Sequence, residues 1–123
     1  MKICISAFGK DPDSEVDPQF GRCNYFVIID PEIGSTTSII NPGSEAPGGA
    51  GIRAAEAVVG AEVDTLLTGS VGPNAFSILS EAGIETHSGI KGTVAFALRE
   101  YQSGKLALLE NSNASTHSGM NKS

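Results

Sequence analysis

The chain has 123 residues, enough for one domain whose core needs no disulfide support. Hydrophobic residues make up 40% and charged residues 18%, with 15 glycines and no tryptophan, which is a globular composition with many tight turns. Acidic residues outnumber basic ones 14 to 8, and a net charge of -6 repels phosphate backbones, so nucleic acid is excluded as an expected partner.

Lys2 to Phe8 (KICISAF) is a short apolar run that predicts a buried strand, and GKDPDSEVDP then collects turn formers and acids in a long, mobile loop. Tyr25 to Asp30 (YFVIID) is rich in β-branched and aromatic residues, Pro31 to Gly34 (PEIG) is a tight connection, and Ser35 to Ile40 (STTSII) reads as the hairpin partner. After Asn41 to Gly49 the character changes. The run GAGIRAAEAVVGAE is alanine-rich, with Ile52, Ala55, Val58 and Val59 at helical spacing, and predicts a helix from near Gly51. Thr65 to Thr68 (TLLT) is a short buried strand. SVGPNAFSILSEAG then places Pro73 where a first helical turn tolerates it and Gly83 where a helix stops, with Phe76, Ile78, Leu79 and Ala82 as the apolar side.

Ile84 to His87 (IETH) predicts a last short strand, and GTVAFALREYQSG a third helix capped by Gly92 or Thr93 and ended by Gly104, its packing extended by KLALLE. From Asn111 the chain reads NSNASTHSGMNKS, with one Met and no other large apolar side chain to offset the entropy of ordering. The expected organisation is a single domain over 1–110 and a disordered tail over 111–123. The order β-β-β-α-β-α-β-α predicts an α/β fold, a hairpin-rich opening followed by right-handed crossovers into parallel strands of a mixed five-stranded sheet. Nothing near Met1 has the pattern of a secretory signal, and no apolar run approaches the roughly 20 residues that span a bilayer, so the expected location is the cytoplasm, with no membrane partner.

The segment Pro47 to Glu56 (PGGAGIRAAE) carries the clearest chemical signal. Gly48, Gly49 and Gly51 let backbone N–H groups converge, the helix start adds partial positive charge, and Arg53 adds a full one, so an anion is favoured there. The alternative is that the glycines only let the helix start sharply and cross close over the sheet. The Lys-Ser/Thr ending of a P-loop is absent, which argues against a nucleotide triphosphatase. A second glycine-led helix start, Thr68 to Asn74 (TGSVGPN), follows a predicted parallel strand. Ligands of open α/β sheets collect outside the carboxyl ends of strands, so the two loops can face one crevice to which Gly72 contributes backbone and Asn74 a side-chain amide. A polar residue facing water in a first helical turn accounts for Asn74 as well.

The chain has two cysteines, Cys4 and Cys23, too few for an ordinary zinc site or a four-thiolate iron-sulfur site. Cys23 follows Gly21 and Arg22 in the loop before the second strand, and Arg22 beside it would lower its pKa and make it a thiolate ligand; otherwise it is a small buried hydrophobe. Cys4 lies inside the first strand and reads as buried. His87 ends the last strand and His117 lies in the tail; neither sits in a ligand pattern. The first strand carries no acid for two-metal nuclease chemistry, and no nucleophile elbow is present, so the expectation is a protein that is not an enzyme.

The motifs FGRCNYFVIID, GGAGIRAAE, TGSVGPNAF, AGI and GTVAFAL, in this order and at these separations, closely resemble the dinitrogenase iron-molybdenum cofactor biosynthesis family from Met1 to about Leu109. The resemblance implies a ribonuclease-H-like fold, a five-stranded mixed sheet whose first three strands are antiparallel neighbours, with helices on both faces. It further implies binding of iron-sulfur cofactor precursors or of the finished cofactor, carried between assembly proteins; many relatives are stand-alone domains. The family pattern commonly has histidine, a candidate cluster ligand, just before the Phe-Gly pair. Here Gln19 stands in that place, and an amide is a far poorer ligand for iron than imidazole. Phe20, Gly21 and Arg22 match, Cys23 stands where some relatives also have cysteine, and Gly48 to Gly51 with Arg53 and the Gly72, Pro73, Asn74 turn match fully.

The leading expectation is a non-catalytic binding module or carrier in which Gln19 to Cys23, Gly48 to Arg53 and Gly69 to Asn74 form a crevice for an anionic ligand. That ligand is an iron-sulfur cluster or iron-molybdenum cofactor precursor, with Cys23 as the metal ligand, Arg22, Arg53 and backbone N–H groups balancing charge, and cofactor-assembly proteins as partners. The alternatives are a metal-free regulator or small enzyme using the crevice for a phosphate- or carboxylate-bearing metabolite, and an interaction module pairing through an exposed sheet edge.

Overall fold

The computed structural model describes residues 1–106 together with Leu108, Leu109 and Ser112. The tail expected over 111–123, His117 included, lies outside the described residues apart from Ser112. The opening apolar run forms β1 (Ile3–Ala7), buried along its whole length, because it is the central strand and is covered on both faces. β2 (Tyr25–Asp30) and β3 (Ser35–Ile40) pair antiparallel from Asp30 opposite Ser35 to Tyr25 opposite Ile40. There follow α1 (Ala50–Gly60), β4 (Thr65–Leu67), α2 (Pro73–Glu81), β5 (Glu85–His87) and α3 (Val94–Gln102).

The sheet order is β3-β2-β1-β4-β5, with β2 antiparallel to β1 and β4 and β5 joining in parallel. This is the mixed five-stranded sheet expected from the element order. The two-residue period of the strands divides the core. Cys4, Phe26, Ile28 and Leu66 face Ala54, Ala55 and Val58 of α1 and Ala75 and Leu79 of α2. Ile3, Ile5, Val27, Ile29 and Leu67 face the other way, against Val94 and Ala97 of α3. Helices therefore cover both faces, and each fully buried Leu or Ile side chain contributes roughly 2 kcal/mol of burial free energy.

The helix ends follow local chemistry. Thr93, not Gly92, caps α3: its hydroxyl accepts from the Phe96 N–H at 3.1 Å, and Gly104 at φ 73° stops the chain beyond the helix. Past α3, Leu109 N–H donates to the Thr86 carbonyl at 2.7 Å and Leu108 bridges His87, so this segment lies along the outer edge of β5. Among the described residues no helix is long and apolar enough to cross a membrane.

One expectation needs correction. The loop after β1 is long but pinned: Val16 N–H donates to the Gly92 carbonyl at 2.8 Å, Asp17 N–H to Ser6 at 3.0 Å, and Val94 N–H to Ser14 at 2.9 Å. The anchor is Val16, the apolar residue in that acidic stretch, which is buried in the α3-side core. This pinning delivers Pro18 and Gln19 to the end of the sheet where α1 and α2 begin.

Candidate functional site

Residues after Asp17 run alongside the loop that follows β4. Gln19 bridges Ser70 in parallel, Ser70 N–H donates to the Pro18 carbonyl at 2.8 Å, and Phe20 N–H to Ser70 at 3.4 Å. The chain then makes a single 3-10 turn, Phe20–Arg22, whose Phe20 ring is buried 5.3 Å from that of Phe26. Gly21 brings this turn directly against the first turn of α1. A Cβ at Gly21 would stand 3.1 Å from both the Cα and the N of Gly51, tighter than an ordinary contact.

Two helix starts complete the arrangement. Gly49 is the N-cap of α1 at φ 67°, a left-handed conformation that favours glycine, and no side chain caps the helix. The first bond of α1 runs from Arg53 N–H to the Gly49 carbonyl at 3.0 Å, so the amides of Ala50, Gly51 and Ile52 precede it. In α2 the N-cap is Gly72, again without a side-chain cap. Pro73 has no N–H to give, and the amides of Asn74 and Ala75 precede the bond from Phe76 N–H to Gly72 at 3.0 Å.

Between these three elements lies a crevice of about 610 Å³, walled by Gln19 to Arg22, by Gly49 to Ile52, and by Ser70 with Gly72 to Ala75. Among the described residues no aspartate or glutamate lines it, although the chain carries a net charge of -6. The one formal charge among its described lining residues is Arg22, whose Nη1 donates to the carbonyls of Ala46 at 2.8 Å and Ser44 at 3.4 Å. Both helix dipoles add partial positive charge at the same place. The crevice can therefore hold an anion through backbone amides, the Arg22 guanidinium and the neutral donors of Gln19, Ser70 and Asn74.

Of the residues expected at the site, Phe20, Gly21, Arg22, Gly49, Gly51, Gly72 and Asn74 line the crevice together. Gly48 and Arg53 are exposed and outside its lining. Cys23 is elsewhere: it is fully buried in the core with Phe20, Phe26 and Cys4. Its Sγ donates to the Phe20 carbonyl at 3.4 Å and lies 3.6 Å from Asn41 Nδ2. Burial, and then the charge of Asp17, push its pKa up to about 12, the opposite of the lowering expected from Arg22. Burial, with Cys23 nearby, also raises Cys4. His87 is buried on the α3 side, edge-on to Tyr101 at 5.3 Å and 3.4 Å from Glu85 Oε1.

Among the described residues, no three of His, Cys, Asp and Glu come together to hold a metal ion. Among the described residues, a metal centre ligated by a protein thiolate or imidazole thus does not fit the crevice, whose described polar side chains are two amides, a hydroxyl and a guanidinium. Ser70 and Ile52 fall within the expected loops Gly69 to Asn74 and Gly48 to Arg53 without being named for a role, and Ala75 lines the crevice from beyond them. Ser70 stood inside the glycine-rich TGSVGPN stretch, whereas nothing local marks Ile52, which the helical pattern assigns to a buried stripe and which is 37% exposed.

Comparison with known proteins finds relatives over most of the chain. The apo form of the orange protein from Desulfovibrio gigas superposes with a TM-score of 0.87 at 34% identity, over 91% of this chain and 95% of that one. The solution structure of a Thermotoga protein named as a candidate NifB gives 0.80 at 32% identity, over 96% and 98%. An uncharacterized protein of Methanocaldococcus jannaschii is 25% identical over 113 residues, 89% of this chain and 92% of its own length. The family model described as dinitrogenase iron-molybdenum cofactor matches residues 1–104, and with both sides of the crevice and the whole sheet inside that span, the chain belongs to this family.

Proposed function

We propose that the protein is a non-catalytic binding module and carrier. Its crevice holds an anionic iron-sulfur or iron-molybdenum cofactor precursor as an intact unit, without a bond from protein sulfur to metal. The observation that carries this reading is the convergence of two uncapped helix starts and Arg22 on one acid-free crevice in a chain of net charge -6. Hydrogen bonds from amides and a guanidinium suit an anion whose metal coordination is already complete. A carrier that makes no coordination bond has none to break on delivery. Cofactor-assembly proteins are then its partners, in the cytoplasm. We also read the strand order as the ribonuclease-H-like arrangement.

Anaerobic incubation with a preformed, thiolate-capped iron-sulfur cluster tests the reading. After gel filtration wild type and Cys23→Ala should retain the same cluster absorption, and Arg22→Ala should retain less. Loss of uptake in Cys23→Ala would overturn binding without protein sulfur. The described lining holds no thiolate or imidazole, which favours as second reading a metal-free anionic metabolite. In that case wild type takes up no cluster, while inorganic phosphate shifts the amide resonances of Gly49 to Ile52.

A further inference from the structure

Asn41 follows β3 directly and is one of the largest fully buried side chains, yet it is polar. Its Nδ2 donates to the carbonyl of Cys23 at 2.9 Å and to that of Gly21 at 3.1 Å, and its Oδ1 accepts from the Gly43 N–H at 2.9 Å. Its backbone N–H donates to the Asn24 carbonyl at 3.0 Å. One primary amide thus ties the 3-10 turn that forms one crevice wall to the loop from residue 41 to residue 46. That loop also carries the Ser44 and Ala46 carbonyls that hold Arg22. Gly43 sits so close to the wall that a Cβ there would come 2.9 Å from the Gly21 oxygen and 3.1 Å from the carbonyl carbon of Ala50. A capping role at the end of β3 would need only the Gly43 bond; the two bonds from Nδ2 reach back 18 and 20 residues, to the wall.

We infer that Asn41 is a positioning residue for the crevice. It draws the Gly21 and Cys23 carbonyls toward itself, so that these negative dipole ends are not presented to an anion, and through Gly43 it sets the loop that orients the guanidinium. A buried carbonyl robbed of its donor seeks another or turns toward solvent, so the wall cannot keep its shape without this amide. The ligand part of this inference rests on the binding reading above; the geometric part does not.

The test compares Asn41→Ala, Asn41→Asp and Val94→Ala, the last a core truncation in α3 on the opposite face of the sheet. Without ligand, Asn41→Ala should speed amide exchange at Gly43 by at least about tenfold and broaden the Arg22 Nε–H signal, while Val94→Ala leaves both at wild-type values. Asn41→Asp keeps the shape and the Oδ1 acceptor of the Gly43 N–H but loses the donor. At neutral pH it should therefore leave Gly43 exchange near wild type yet broaden the Arg22 signal as Asn41→Ala does, and that signal should recover on acidification, when a protonated carboxyl regains an O–H. Cys23, Asp17, Arg22 and Glu45 are ionisable groups around that position, and wild type measured over the same pH range accounts for them. Phosphate as probe should bind about tenfold more weakly to Asn41→Ala and unchanged to Val94→Ala. A wild-type Arg22 signal in Asn41→Ala overturns the inference whatever the exchange at Gly43, which loss of the Oδ1 acceptor speeds by itself. Should that variant not fold, an Asn41→Asp protein with no pH-dependent recovery of the Arg22 signal does so. If wild type binds no phosphate, the anion reading fails on its own, and the Arg22 signal still decides the role of Asn41.

Discussion

The Cys23 Sγ lies 3.4 Å from the carbonyl oxygen of Phe20, so the thiol is closed into the core by the very residue that lines the crevice on its other side. Neither this thiol nor Cys4 should react with a thiol reagent in the native protein at pH 8, and both should react after unfolding. Cys23→Ala should lower stability by roughly 1–2 kcal/mol and leave phosphate affinity within about twofold of wild type, measured by denaturant titration and amide shifts.

The raised thiol values give stability a defined pH dependence. A folded-state pKa near 12 against an ordinary 9.0 means that in this window the unfolded chain has lost a proton that the folded chain still holds. Cys23 therefore contributes its full stabilisation below pH 9, and this is lost as pH rises toward 12, by about 1.4 kcal/mol per pH unit. Cys4 is shifted in the same direction and adds to the loss. Urea midpoints measured from pH 7 to 11 should hold to about pH 9 and fall above it for wild type, and fall less steeply in Cys23→Ala.

Gly72 leaves α2 without a side-chain cap at φ -74° and ψ 168°, a conformation any L residue adopts. Gly72→Asp should cap the helix, stabilising the fold by a few tenths to about 1 kcal/mol, and at the same time place a carboxylate where an anion would sit. The expected outcome is a higher midpoint of thermal unfolding and loss of phosphate shifts at Gly49 to Ile52. A stabilised protein with unchanged phosphate binding would remove α2 from the site.

Two glycines of the crevice separate backbone strain from wall geometry. Gly49→Ala meets no neighbouring atom but keeps a left-handed φ of 67°, so it should cost roughly 1–2 kcal/mol with the wall in place. Gly21→Ala sets a methyl 3.1 Å from the backbone of Gly51, so the turn and α1 must move apart by a few tenths of an ångström. It should cost roughly 1–3 kcal/mol and also shift the Ala50 to Ile52 amides, which two-dimensional NMR resolves.

Much of the fold was legible because it is written in local chemistry. KICISAF is apolar on both faces and became the central strand, Pro73 opened α2, and Thr93 supplied the hydroxyl that caps α3. The pinning of the acidic loop was not legible, since Val16 is a lone apolar residue whose burial depends on partners from β1 and α3. Gln19 and Ser70, on two walls of the crevice, meet through a bridge spanning 51 positions, and no window along the chain displays it.

By itself the sequence determined the succession of strands and helices, the two glycine-led helix starts without capping side chains, and the excess of negative charge, all of which are properties of short segments or of composition. Tertiary structure alone decided that the 3-10 turn after Gln19 meets both helix starts, because the parallel placement of β4 beside β1 brings those ends together. It also decided the fate of Cys23: the same residue beside Arg22 is a ligand or a core side chain according to which way the turn carries its Sγ. Packing against Phe20, Phe26 and Asn41 carries it inward.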